Sequence, residues 1–190
     1  MPEIQIRPAA AEDIPSLVSL EHNYVSDSVW QMEIKRGAES GIEDNLVRVS
    51  FRQIRLPRSV RVEYPRSPQA LSQDWAERDG LLAALHEEQV VGYVSLQLGV
   101  APLTAWVTDL VVRRRMRRQG IGSALLLAAQ EWGAVHLCRH LVLEMQPKNY
   151  PGIQLAQKLG FDLCGYNDRY FVNHDIALFF AKSLTWFSGR

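Results

Sequence analysis

The stretch AWVTDLVVRRRMRRQGIG, residues 105–122, decides how the chain folds. Its first eight residues are mostly apolar and β-branched, as suits a strand, and a run of arginines follows. Beyond Gly120 the apolar residues Ile121, Ala124, Leu125, Ala128, Trp132 and Val135 recur at helical spacing, so the chain switches from strand to helix after Val112. A helix start preceded by a basic, glycine-containing turn is in principle an anion site. Its first amides lack intrahelical partners, the macrodipole is positive there, and Gly120 and Gly122 let phosphate oxygens reach the main chain.

Two common phosphate motifs are excluded. No Lys-Ser/Thr pair follows the second glycine, which argues against a nucleoside triphosphate site with magnesium, and the spacing is not G-x-G-x-x-G.

Upstream, LLAALH and VVGYVSLQL flank the polar link Glu87-Glu88-Gln89 and predict an antiparallel hairpin. Ile4 and Ile6 suit a short strand closed by Pro8, and Ile14, Leu17, Val18 and Leu20 predict a helix from Ala11 to about His22. VSDSVWQMEIKR reads as helix or loop, NLVRVSFRQIRL as a strand or hairpin arm, and SPQALSQDWAERD as a short surface helix after the breaks at Pro57, Pro65 and Pro68.

Downstream, Leu141-Val142-Leu143 predicts a strand covered on both faces, and a helix from about Pro151 to Leu159 ends at Gly160 in a left-handed conformation. FDLCGYNDRYF and DIALFFAKSL predict a closing pair of strands. No repeat or linker divides the chain, so residues 1–190 are expected to form one α+β domain.

With 190 residues, 47% of them hydrophobic, the chain has ample material for a core. Twenty-one basic residues balance 21 acidic ones, so no whole-protein field draws it to nucleic acid or to an anionic membrane. Cys138 and Cys164 form no disulfide framework, His136 and His140 lack a third ligand, and no metal is expected. Without a signal-like amino terminus or a membrane-length apolar run, the expected location is the cytoplasm. The aromatic residues Trp30, Trp75, Trp106, Trp132 and Tyr93 are candidates for an acceptor pocket, although Trp132 lies on the apolar stripe and reads as core.

The pattern Arg117-x-x-Gly120-x-Gly122, preceded by Leu110, Val111 and Val112, resembles the acetyl-CoA signature of the GNAT family of N-acyltransferases. The resemblance implies a central, mostly antiparallel twisted sheet with helices on both faces and acetyl-CoA held where two neighbouring strands splay apart. It further implies that the strand ending at Leu110, Val111 and Val112 pairs with the pantetheine arm. The main chain of Arg117, Arg118, Gln119, Gly120, Ile121, Gly122 and Ser123 would hold the pyrophosphate. A second motif lies in LEMQPKNYPGIQLAQKLGF, with Asn149 at a helix start and Lys158-Leu159-Gly160-Phe161 at its end, and Asn149 joins the candidate coenzyme set. Within the family, this run with Gly165-Tyr166 and DIALFF is most similar to the streptothricin acetyltransferase group.

One position departs from the family. Many members carry a tyrosine that protonates the departing thiolate where this chain has Ala156. Tyr150 or Tyr166 is a candidate replacement, and a thiol with a pKa near 8.5 also leaves tolerably unaided. Direct transfer needs a neutral amine, for which Glu144 and Asp109 are the candidate bases, with Glu144 preferred.

The expected activity is transfer of acetyl from acetyl-CoA to a primary amine of a small molecule. Two other readings remain open: an acyl-CoA sensor without catalysis, and a nucleic-acid-binding module using Arg113, Arg114, Arg115, Arg117 and Arg118. The acceptor and the choice between monomer and homodimer stay undetermined at this point.

Overall fold

The computed structural model describes residues 2–36 and 46–184. Seven strands form one sheet in the order β1-β4-β5-β6-β7-β9-β8. They are β1 (Gln5–Pro8), β4 (Gly80–His86), β5 (Gln89–Gln97), β6 (Thr104–Val112), β7 (His140–Met145), β8 (Asp162–Asn167) and β9 (Ala177–Ser183). Every neighbouring pair is antiparallel except β6 and β7, which run parallel.

Helices cover both faces. Helices α3 (Ile121–Val135) and α4 (Tyr150–Lys158) lie over a core that includes Val94, Leu96, Ala105, Leu125, Leu141 and Phe180. On the other face α1 (Ile14–Val18) and α2 (Ala70–Asp74) bring Leu17 and Leu71 against Tyr93 and Val111. The expected hairpin of β4 and β5, the strand-to-helix switch and the closing antiparallel strands are all present.

Three expectations change. The first helix is shorter than read: a 3-10 turn at Ala11–Asp13 leads into α1, which ends at Val18, where the Ser19 hydroxyl bonds the Ser16 carbonyl. Leu20 and His22 remain buried beyond it, so apolar spacing continued where the helix did not.

VSDSVWQMEIKR is neither helix nor loop but strand β2 (Tyr24–Arg36), paired with β3 (Val47–Val62) in a separate two-stranded sheet. Its polarity runs against its facing, because Ser26 and Ser28 are buried while Val25 is 50% exposed. The pairing jumps from Ser26↔Val60 to Ser28↔Arg55, which leaves Leu56–Ser59 out of register and accommodates Pro57, a residue unable to donate to a ladder. Residues 37–45, part of the segment that resisted reading, lie outside the described residues.

The stripe on α3 is also rotated. Leu126, Ala129 and Gly133 are buried beside Ile121 and Leu125, whereas Val135 is 78% exposed. A helix apolar on nearly every side leaves its phase to the sheet beneath it.

Candidate acetyl-CoA cleft and acceptor site

The site begins with a bulge. Strand β6 pairs with β5 as Leu96↔Val107 and then Ser95↔Asp109, so Thr108 is an extra residue on β6. An extra residue bends its strand, and here the parallel pairing with β7 runs only from Thr104↔His140 to Val107↔Leu143. Beyond that point β6 continues to Val112 and β7 to Met145 without pairing each other. The two strands splay apart and leave one edge of β6 open.

That edge forms a wall of a cleft of about 890 Å³. The cleft is lined by Leu110, Val111 and Val112 from β6, by Glu144 and Met145 from the end of β7 with Gln146 just beyond it, and by Asn149, Gly152 and Leu155 around α4. Its far end is the turn into α3, with Arg117, Arg118, Gly120, Gly122 and Ser123. Arg118 has φ +65° and Gly120 φ +89°, so the main chain curls sharply before the helix.

Ala124 is the first residue of α3 whose amide meets a main-chain carbonyl, that of Gly120 at 3.0 Å, and no side chain caps the helix. Among the described residues, no main-chain carbonyl outside the helix accepts from residues 118–123. Arg118, Gln119, Gly120, Ile121, Gly122 and Ser123 therefore present donors at the positive end of a 15-residue helix, an arrangement suited to an anion.

The arginines divide by role. The guanidinium of Arg117 donates to the carbonyls of Val112 at 2.8 Å and Asn23 at 2.9 Å, and also to that of Glu21. It ties the segment after α1 to the end of β6, and burial lowers its pKa. The Arg117 amide bonds the Arg114 carbonyl at 3.3 Å. Of the residues read from the motif, Arg117 is thus committed to the fold rather than turned to an anion, because the end of β6 and residues 21–23 need those donors. Arg113 is likewise held by the Val90 carbonyl and Gln89. Arg114 and Arg118 line the cleft. Gly122 has a packing reason besides access, since a Cβ there would lie 3.1 Å from Leu155 of α4.

Glu144 sits beside the splay with its side chain wholly buried. Its Oε2 accepts from the Tyr170 hydroxyl at 2.8 Å and from the indole N–H of Trp106, and its Oε1 faces the Arg66 guanidinium in an ion pair. Arg66 also donates to the Thr108 carbonyl at 2.8 Å and lies 5.4 Å from the centre of the Phe171 ring.

Asp109 is buried on the α1–α2 face. It accepts from the Tyr64 hydroxyl at 2.6 Å and from Arg78 at 2.7 Å, while Arg78 also holds Ser95 at 2.7 Å and Asp74 at 3.0 Å. Burial, reinforced by Asp109, pushes the Tyr64 hydroxyl well above its ordinary pKa. Nearby, the His22 imidazole bonds the Leu20 carbonyl through Nδ1 at 2.6 Å and Tyr93 through Nε2 at 3.0 Å, and burial lowers its pKa.

These residues line a second cavity of about 660 Å³, which shares His22, Tyr64, Pro65, Arg66 and Thr108 with the cleft.

The structure brings Glu144, Asn149 and the turn before α3 to one cleft. The Asn149 side chain caps α4 by accepting from Gly152 at 3.0 Å. Tyr150 occupies the first position of α4, between the lining residues Asn149 and Pro151 but not itself in the lining, and Tyr166 packs edge-on against Phe51. Ala156 is fully buried in the core. The tyrosines that do line the cleft are Tyr24, whose hydroxyl donates to Gln146 at 2.9 Å and is raised in pKa by burial, and Tyr64. Sequence reading missed Tyr24, Tyr64, Arg66, Arg78 and Tyr170; the nearest signal was Pro65 and Pro68 stiffening the main chain on either side of Arg66.

The profile of the acetyltransferase (GNAT) family matches residues 48–161, more than half of the chain. A sequence search of curated proteins gives no match. Among solved structures, the fold is similar to nourseothricin acetyltransferase, with TM-score 0.77, 19% identity, and 96% of this chain and 99% of that one covered. It is also similar to a Bacillus anthracis str. Ames protein assigned as a streptothricin acetyltransferase and solved with acetyl coenzyme A, with TM-score 0.74, 17% identity, and 95% and 99% covered. A third is the ribosomal-protein-S18-alanine N-acetyltransferase of Escherichia coli, with TM-score 0.65, 16% identity, and 96% and 95% covered. The splayed strands, the donor-rich start of α3 and the matched profile agree, and the chain belongs to the acetyltransferase (GNAT) family, as an acetyl-CoA-dependent N-acetyltransferase.

Proposed function

We propose that the protein, acting as a single-domain enzyme, moves the acetyl group of acetyl-CoA directly to the primary amine of a small molecule. The observation that carries this reading is the continuity of one cleft from the uncapped start of α3 to the open edge of β6 and on to the carboxylate of Glu144. The motifs Leu143-Glu144-Met145-Gln146 and Ile176-Ala177-Leu178-Phe179, similar to the streptothricin acetyltransferase group, point to a small-molecule acceptor.

The amides of residues 118–123 hold the pyrophosphate, Arg114 and Arg118 add charge at the mouth, and the open edge of Leu110–Val112 pairs with the pantetheine amides. Asn149 contributes its side-chain amide, whose oxygen also caps α4. The thioester supplies an activated acyl carbon with a thiolate leaving group. Glu144 takes the proton of the ammonium form of the acceptor, through its Oε1. Asp109, already committed to Tyr64 and Arg78, shapes the acceptor cavity and serves as the second candidate base. Tyr24 at the cleft wall, or Tyr150 beside it, donates a proton to the thiolate.

Calorimetric titration with coenzyme A, followed by thiol release with polyamines, lysine peptides and aminoglycoside-like compounds, tests the proposal. Binding with amine-dependent release is the expected result. No affinity for coenzyme A on folded protein, or tight binding with no amine raising release above hydrolysis, refutes it.

A further inference from the structure

Arg66 lies where the sheet opens. Its guanidinium reaches from the carbonyl of Thr108, the bulge residue at which β6 leaves β7, to the carboxylate of Glu144 on β7, with Phe171 beneath it. It lines both cavities and so stands in the wall between them.

Two facts constrain its role. The Thr108 carbonyl borders the open edge of β6, and Arg66 already supplies the donor that a molecule pairing there would bring. Trp106 and Tyr170 hold Oε2 of Glu144, and the buried Oε1, which accepts no hydrogen bond among the described residues, faces the Arg66 guanidinium in the ion pair. The guanidinium stands at the carboxylate oxygen to which an amine would deliver its proton and favours the charged carboxylate, so its withdrawal opens Oε1 to an amine. Arg66 itself can move: its side chain is 31% exposed, and it extends from the connection between β3 and α2 rather than from the sheet.

We propose that Arg66 is a latch, a positioning residue that closes the splay in the free protein and withdraws when the acyl donor lies down along β6, so that Glu144 becomes available only after the donor has bound. The inference rests on the transferase reading above. It makes binding ordered, donor first, because the amine's proton acceptor and the passage between the two cavities are exposed by the same movement.

The test compares wild type, Arg66→Lys, Arg66→Ala and the double variant Arg66→Ala/Glu144→Gln, which folds without a stranded buried charge. Coenzyme A is titrated calorimetrically into each, and initial rates are measured with product inhibition by free coenzyme A. Loss of the charged hydrogen bond that the donor must displace is expected to tighten coenzyme binding about tenfold in both Ala-containing proteins, with Arg66→Lys between them and wild type. Inhibition should be of the ordered, donor-first kind in wild type and of the random kind in Arg66→Ala. If wild type binds coenzyme A but the Ala-containing proteins bind it equally or more weakly, the latch is overturned and the transferase reading stands. No binding by any of the four overturns both, whereas binding by the Ala-containing proteins alone upholds the latch.

Discussion

The Tyr64 hydroxyl donates to Oδ1 of Asp109 at 2.6 Å, joining the connection that leaves β3 to strand β6 just beyond its bulge. Arg78 holds the other oxygen at 2.7 Å, so the carboxylate fixes three separate parts of the chain around the second cavity.

Asp109→Ala removes the centre of this network, strands the buried Tyr64 hydroxyl and leaves the Arg78 guanidinium with only Asp74 and Ser95. A loss of about 3–5 kcal/mol is expected in urea unfolding, against about 1 kcal/mol for Tyr64→Phe. A loss below about 1 kcal/mol for Asp109→Ala would show that the network is peripheral to the fold.

Gly120→Leu places a side chain at φ +89° in front of the free amides. The left-handed conformation costs about 1–2 kcal/mol, or roughly 2–8 °C in Tm. Coenzyme affinity should fall at least about 100-fold, equivalent to about 2.7 kcal/mol, which exceeds that stability cost. Calorimetry beside a melting curve separates the two effects, and retained affinity argues against a diphosphate at this turn.

Glu144→Gln keeps the size of the side chain and its acceptor for Trp106 or Tyr170. Coenzyme binding should persist, while turnover drops roughly 100-fold or more, most at low pH, where less free amine exists without assistance. Unchanged turnover across the pH range would move the proton acceptor to Asp109 or to water.

Asn149→Ala loses the cap on α4 and about 1 kcal/mol of stability. Asn149→Asp restores the cap but lacks an amide donor. If Asn149 also touches the coenzyme, stability recovers in the aspartate variant and affinity does not; recovery of both would confine Asn149 to capping.

His22 is expected to make the stability pH-dependent near neutrality. Burial lowers its folded pKa beneath the unfolded value near 6.5, so the unfolded chain takes up the proton first. Its contribution is complete above about pH 6.5 and is lost as pH falls toward the folded pKa. Nδ1 donates to the Leu20 carbonyl, which leaves Nε2 to accept from Tyr93, and protonation removes that acceptor. Chemical denaturation between pH 5 and 8, within about the range where histidine titrates, should show this slope in wild type and not in His22→Gln.

The fold was legible where burial and apolarity coincide. Leu141, Leu143, Val94 and Leu96 are apolar and buried, and their strands were read correctly. Strand β2 was not, because Ser26 and Ser28 turn inward and Val25 outward, reversing the pattern from which facing is inferred. The unpaired amides at the start of α3 were readable because glycines and a helix start announce them. The second cavity was not, since Tyr64 and Arg66 approach β6 from more than 40 residues away in sequence, a proximity that no local spacing encodes. Arg117 shows the converse: the motif singles it out, but its charge is spent on the carbonyls of Val112, Asn23 and Glu21.

Four residue pairs, Thr104↔His140 to Val107↔Leu143, are the whole main-chain ladder between β6 and β7. The sheet consequently has a seam, with β1, β4, β5 and β6 on one side and β7, β9 and β8 on the other, bridged chiefly by α3 lying across it. A molecule bonded along β6 and packed against α4 would stitch the two halves together. Amide hydrogens flanking the seam should then exchange most slowly when it is filled, making the enzyme stiffest at the moment it is ready to react.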